Sequence, residues 1–158
     1  MNAAAHTYSL SAAGLAFIAR HEGFRASVYE DDAGRATIGF GHRLLPGESF
    51  PEGISRQEAS FLLARDAAHA CDTVCAQVHV ALTQSQYDAL VSFAYNVGAM
   101  AFATSTLLRR LNTGDVAGAA QEFMRWNKVR RGGVAVEDAG LTVRRNAERT
   151  LFTEGAYP

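Results

Sequence analysis

Glu22, Asp31 nine residues later and Thr37 six beyond that are the side chains best suited, by type and spacing, to break a covalent bond. Two carboxyl groups held apart on different elements suit glycosidic cleavage: one protonates the leaving oxygen, and the other activates a water or attacks the sugar. A hydroxyl at Thr37 would help Asp31 hold that water. Each residue also has a plainer reading. Glu22 would be a surface acid in a fraying turn, Asp31 one of three adjacent turn acids with Glu30 and Asp32, and Thr37 an ordinary β-branched strand residue.

The elements that must carry them are legible. Ser11 is a plausible N-cap, Leu15, Ile18 and Ala19 form an apolar stripe, and Gly23 has the chemistry of a left-handed helix stop. Glu22 therefore falls in a last turn, where the negative end of the helix dipole disfavours ionisation by up to ~1 kcal/mol. That placement helps an acid that must stay protonated. Asp31-Asp-Ala-Gly34 is good turn chemistry, and alternation puts Asp31 on the face of Tyr29 with Glu30 opposite. Thr37 opens a glycine-rich strand. No second His or Cys lies at ligand spacing from His42, so it reads as a structural histidine paired with an acid such as Asp66, and no metal is expected.

About a dozen positions between His21 and His42 carry a joint pattern: Glu22-Gly, eight residues from Glu22 to Asp31, five from Asp31 to Thr37, then Thr37-Ile-Gly-Phe-Gly-His42. This pattern closely resembles the phage-type lysozymes of glycoside hydrolase family 24. Later blocks extend the likeness: Tyr87 to Gly98, Phe102-Ala-Thr-Ser-Thr-Leu-Leu108, Glu122-Phe-Met-Arg-Trp-Asn127, and Gly140-Leu-x-x-Arg-Arg-x-x-Glu148. It runs from about Ser9 to Phe152. The resemblance implies a muramidase that hydrolyses the β-1,4 bond between N-acetylmuramic acid and N-acetylglucosamine of bacterial peptidoglycan, without metal or organic cofactor, during host cell lysis. It implies catalytic roles for Glu22, Asp31 and Thr37, substrate contacts from Tyr95 and Asn96, and supporting roles for His42, Arg144 and Arg145. One arginine of that pair is expected to face Glu22, since neighbours on a helix lie ~100° apart and only one can point inward. The chain departs from the family at His21, where relatives often carry an aromatic, and in an inserted-looking stretch at 129–139.

Composition agrees. At 158 residues with 48% hydrophobic and 20% charged side chains, the chain is expected to form one globular domain. No apolar stretch nears the ~18 residues of a membrane span, and the first twenty residues lack the pattern of a signal peptide. The expected route is synthesis in the host cytoplasm and action on the wall once the membrane is permeabilised. Net charge is −1, with six basic against nine acidic residues through position 79 and nine against seven beyond it. The basic clusters Lys128, Arg130, Arg131 and Arg144, Arg145, Arg149 interleave no aromatic motif, so peptidoglycan carboxylates are the expected partner and nucleic acid is not. A monomer is expected. Cys71 and Cys75 read as small core residues.

The expected fold is α+β and lysozyme-like. An N-terminal helix and small β-hairpin lobe cover about 9–54, with a sheet of two or three strands. A long helix over 55–78, opened by the capping box Ser55-Arg-Gln-Glu58, leads to a helical lobe over 79–158. There, Thr83-Gln-Ser-Gln86 opens a second helix ended by Gly98. Further helices fit 105–112, 115–126 and 142–152, with a mobile basic loop at 128–140. Three rivals share these features: a lytic transglycosylase, an antibacterial effector built on the same domain, and a wall-binding module without activity.

Overall fold

The computed structural model describes residues 8–158. Their elements divide between two compact units, one of residues 15–68 and one of the N-terminal segment with 69–158. The chain passes between them within two helices, α1 (Ala12–Glu22) and α2 (Arg56–Gln77).

The first unit is built on an antiparallel sheet of three strands, β1 (Arg25–Glu30), β2 (Ala36–Gly39) and β3 (His42–Arg43), in that order. Tyr29 lies opposite Thr37, and the register slips between Arg25 and Tyr29, which bends β1. Gly39 is left-handed, with φ 66°, and a Cβ there would stand 2.9 Å from that of Ala59. Only glycine allows both that conformation and so close an approach of α2 to β2. Phe17, Ile18, Ile38, Ala59 and Leu63 form this unit's buried core. Ser11 caps α1 by accepting from the Gly14 N–H at 2.9 Å. The Ser55 box forms as read, with both the Ser55 N–H and hydroxyl on Glu58.

The helical unit contains the second half of α2, then α3 (Gln84–Val97), α4 (Ala99–Ala103), α5 (Thr106–Asn112), α6 (Val116–Glu122), a short 3-10 turn (Phe123–Trp126), strands β4 (Lys128–Arg131) and β5 (Val134–Glu137), and α7 (Ala139–Glu154). Thr83 and Gln86 form the expected reciprocal cap on α3. Phe93 centres an aromatic core, meeting Phe102, Phe123 and Trp126 edge-on with centroids 5.2 to 6.3 Å apart.

Four expectations are corrected here. The 128–140 segment is not a loop but a hairpin, turned by Gly132 and Gly133 at φ 57° and 82°; two glycines supply the positive angles of a tight two-residue turn. The last helix starts at Ala139, capped by Asp138, whose carboxylate accepts from Leu141. The 115–126 helix tightens into a 3-10 turn after Glu122, and α4 is additional. Cys75 is exposed and Cys71 half-buried. Ala70 and Val74 take the buried face of α2, so the thiols lie on its flank.

Candidate active site

Glu22 is the last residue of α1, half-buried. Gly23 follows at φ 72°, and its N–H bonds to the Ala19 carbonyl at 3.2 Å, ending the helix where sequence chemistry placed the stop. Gly41, in the turn between β2 and β3, lies beside the Glu22 carboxylate: a Cβ there would stand 3.9 Å from Oε2. Helix end and β-turn thus meet at this acid, inside a single unit.

Asp31 sits just past β1, in the turn to β2, not in the strand. Its Oδ1 accepts from the N–H groups of Ala33 and Arg35, both at 2.9 Å, and its Oδ2 from Arg43 Nε at 3.2 Å. The Arg35 N–H above all, helped by Ala33 and the Arg43 guanidinium, holds this carboxyl below the usual carboxylate range. A carboxylate so held stays ionised and keeps lone pairs for a further donor.

Thr37 is 2% exposed, and its hydroxyl donates to the Arg35 carbonyl at 2.9 Å. The Arg35 peptide units therefore orient both side chains, one through N–H to Asp31 and the other through C=O from Thr37. With its proton committed, the Thr37 oxygen is left as an acceptor.

His42 is buried, and its partners include the anticipated Asp66. Nδ1 lies 2.8 Å from Asp66 Oδ2, and Nε2 lies 2.7 Å from Glu48 Oε2. Glu48 was not foreseen, because a loop carries it back; there it also takes the Leu45 N–H and Arg65. Carboxylates on both ring nitrogens require both to be donors, so the imidazolium is the favoured form. Burial works to lower His42, but the bonds to Glu48 and then Asp66 override it and raise it above its ordinary value of 6.5. Glu48 is lowered to about 2, first by His42 and then by the Leu45 N–H.

A stability window follows. The raised His42 contributes fully below pH 6.5, and that contribution is lost as pH climbs through its folded value. The lowered Glu48 contributes fully above 4.5, and that is lost as pH falls toward 2. Thermal midpoints should therefore be highest between these limits and fall on either side. His42→Gln should flatten the alkaline fall, and an unchanged alkaline fall in that variant would dissociate it from His42.

In the helical unit, Tyr95 is half-buried and Asn96 exposed near the end of α3. Asn96 Oδ1 accepts from Arg145 at 2.7 Å, which orients its amide and leaves Nδ2 as the donor end. Arg144 and Arg145 correct the expectation that only one points inward: they are 5% and 0% exposed. Glu148 lies four residues after one and three after the other, so both converge on it. Arg144 Nε lies 3.1 Å from Oε1 and Arg145 Nε 3.0 Å from Oε2. Ser92 donates to Oε1 at 2.7 Å, and Arg145 lies over the Phe93 ring. Burial pushes the Glu148 carboxyl up, against the pull of the two guanidiniums and Ser92. The earlier start of α7 also puts the arginines beyond its first turn, so their charge there needs no special purpose.

No group of three or more His, Cys, Asp or Glu among the described residues has the arrangement to hold a metal ion. The unit thus carries a carboxyl group at a helix end and a carboxylate locked in a turn, the residue types that glycosidic cleavage uses. The chain belongs to the phage lysozyme family, whose model matches residues 19–148. It is 42% identical over 143 residues to an endolysin of Acyrthosiphon pisum secondary endosymbiont phage 1, covering 90% of this chain and 97% of that one. An endolysin structure from Escherichia coli O157:H7 phage FAHEc1 superimposes with TM-score 0.89 at 35% identity, covering 96% and 98% of the two chains. The muramidase domain of SpmX from Asticaccaulis excentricus does so with TM-score 0.86 at 36% identity, covering 92% and 98%. The lysozyme-like α+β fold expected from sequence is thus the fold observed.

Proposed function

We propose that this protein is a peptidoglycan-hydrolysing lysozyme of phage lysis, with Glu22 as general acid and Asp31 as the base that activates water beside Thr37. The observation that carries the roles is the Asp31 environment: two turn N–H groups and Arg43 keep it ionised, while Arg35 ties it to Thr37. Glu22 is the last residue of α1, and a helix end suits a proton donor. Family membership, endolysin relatives and a muramidase neighbour support the wall polymer as substrate. Lysis of permeabilised Gram-negative cells, followed by turbidity, tests this. Folded protein that leaves turbidity unchanged would make it a wall-binding module instead.

The bond cleaved is the β-1,4 linkage between N-acetylmuramic acid and N-acetylglucosamine. Glu22 gives its proton to the leaving oxygen. Asp31 takes one from the water, which attacks the opposite face of the sugar. Tyr95 and Asn96 contribute glycan contacts, Asn96 through the amide donor that Arg145 leaves available. Arg144 and Arg145 support the helical unit, where they hold Glu148 and Arg145 orients Asn96. The alkaline limb of the pH–lysis profile reports the general acid. The protein is made in the host cytoplasm and meets the wall after membrane permeabilisation; no helix among the described residues is long and apolar enough to cross a membrane.

This mechanism inverts the anomeric centre, with the two carboxyl groups more than ~6 Å apart to admit water. NMR of fresh product should show the α anomer first. Initial β product would make Asp31 a nucleophile and remove the water-holding role of Thr37. Anhydro-muramic ends detected by mass spectrometry would identify a lytic transglycosylase.

A further inference from the structure

Tyr29, Thr37 and Arg43 form one row across the sheet of the first unit. Tyr29 on β1 lies opposite Thr37 on β2, and Thr37 in turn lies opposite Arg43 on β3. Directly opposed residues of antiparallel strands point to the same face, with Cβ atoms about 4.5–5.5 Å apart. Asp31 reaches that face as well, since its Oδ2 meets Arg43 Nε at 3.2 Å. A second guanidinium stands at the other end of the row: Arg25 Cζ lies over the Tyr29 ring, 4.6 Å from its centroid.

The two arginines differ in what they meet. Arg43 is engaged by Asp31. Arg25 is exposed and pairs with no carboxylate among the described residues; its contact is the face of a half-buried ring. Stacking on an aromatic face orients the planar fork, so less freedom is lost when it binds. The ring covers only a face of the guanidinium, and the N–H donors point outward in its plane. Held in this way, the fork matches a carboxylate, two N–H groups to two oxygens.

The row also places the fork relative to the chemistry. Tyr29 is one strand, about 4.8 Å, from Thr37. Under the function proposed above, the sugar attacked beside Asp31 and Thr37 is N-acetylmuramic acid. Of the two sugars it alone carries a lactyl ether, whose carboxyl group is either free or joined to a stem peptide with carboxylates of its own.

We propose that Arg25, held on Tyr29, binds a carboxylate carried on the muramyl side chain and so sets a preference for charged peptidoglycan over neutral glycan. This inference rests on the peptidoglycan reading and extends it to specificity. Arg25 acts in binding and touches no reacting atom. The carboxylate has two sources: the lactyl group in peptide-free strands and the stem peptide in intact ones.

The test is calorimetric binding of soluble peptidoglycan strands to Glu22→Gln protein, which should leave them uncut. Native strands are compared with strands whose carboxyl groups are amidated and with strands stripped of stem peptide by an amidase. Protein with Arg25 should bind native strands about 5-fold more tightly than amidated ones, the upper range for an exposed ion pair. That margin should shrink as salt rises. Adding Arg25→Gln should erase the preference and leave affinity for amidated strands unchanged. A preference kept on peptide-free strands supports the lactyl carboxylate as the group bound, and one confined to peptide-bearing strands supports the stem. Equal weakening toward native and amidated strands would mean that Arg25 only supports the sheet, and overturns the proposal. So does equal affinity of the parent for both, or a preference that survives Arg25→Gln. Lysis is a separate measurement: a wild-type chain that leaves permeabilised cells turbid while its binding discriminates by charge fails the hydrolase reading and keeps the carboxylate contact.

Discussion

Glu22→Gln protein should fold like the parent and lyse permeabilised cells at least ~10²-fold more slowly, the usual loss when a general acid is removed. The two halves of this expectation have separate causes. Gln keeps the size of Glu at a half-buried helix end whose stop is made by Gly23 and not by the side chain. Its amide fits beside Gly41, where glycine leaves room around Oε2. What it lacks is a transferable proton. Binding contacts elsewhere are untouched, so the loss belongs in kcat and not in affinity for the wall polymer. Lysis rates and wall-pelleting measured on the same folded variant separate the two. Near-normal lysis would remove Glu22 from the mechanism and direct attention to another acid.

The largest expected effect on stability is at Glu148. Glu148→Gln preserves shape but removes the carboxylate on which two guanidiniums, 5% and 0% exposed, converge. Breaking a buried ion pair by removing one partner costs about 3–5 kcal/mol, a large share of the ~5–15 kcal/mol that holds a domain folded. The loss should be recovered in part by removing a cation too. Arg145→Met in the Glu148→Gln background should cost less than the sum of the single changes, because Met fills the space over Phe93 without a charge to desolvate. Urea unfolding of the four proteins measures the cycle. Strict additivity would mean that Arg145 and Glu148 are not energetically paired.

What could be read along the chain shares one property: short range. The caps at Ser55 and Thr83 join residues three apart, and the Gly23 stop acts on its own turn. The family pattern of Glu22, Asp31 and Thr37, though split between helix, turn and strand, lies within sixteen positions, so spacing alone carries it. The 128–140 hairpin was equally local. Gly132-Gly133 between Val-containing strands is a two-residue turn signal.

Charge pairing was not legible, because burial of a charge depends on what meets it. Arg144 and Arg145 look like surface residues in a list of cations. They are buried because Glu148 sits between them on α7 and Ser92 meets it from α3, more than fifty residues earlier. His42 shows both sides: Asp66 was foreseen as its partner, but Glu48 needed a loop to fold back. The thiols show the reverse case, small apolar residues left on a helix flank once Ala70 and Val74 had taken the interior. Local spacing and caps determined the family pattern, the helix ends and the acids, since those depend on neighbours in sequence. Only tertiary packing decided which charges and thiols are buried, since desolvation is settled by atoms that the chain brings from far away.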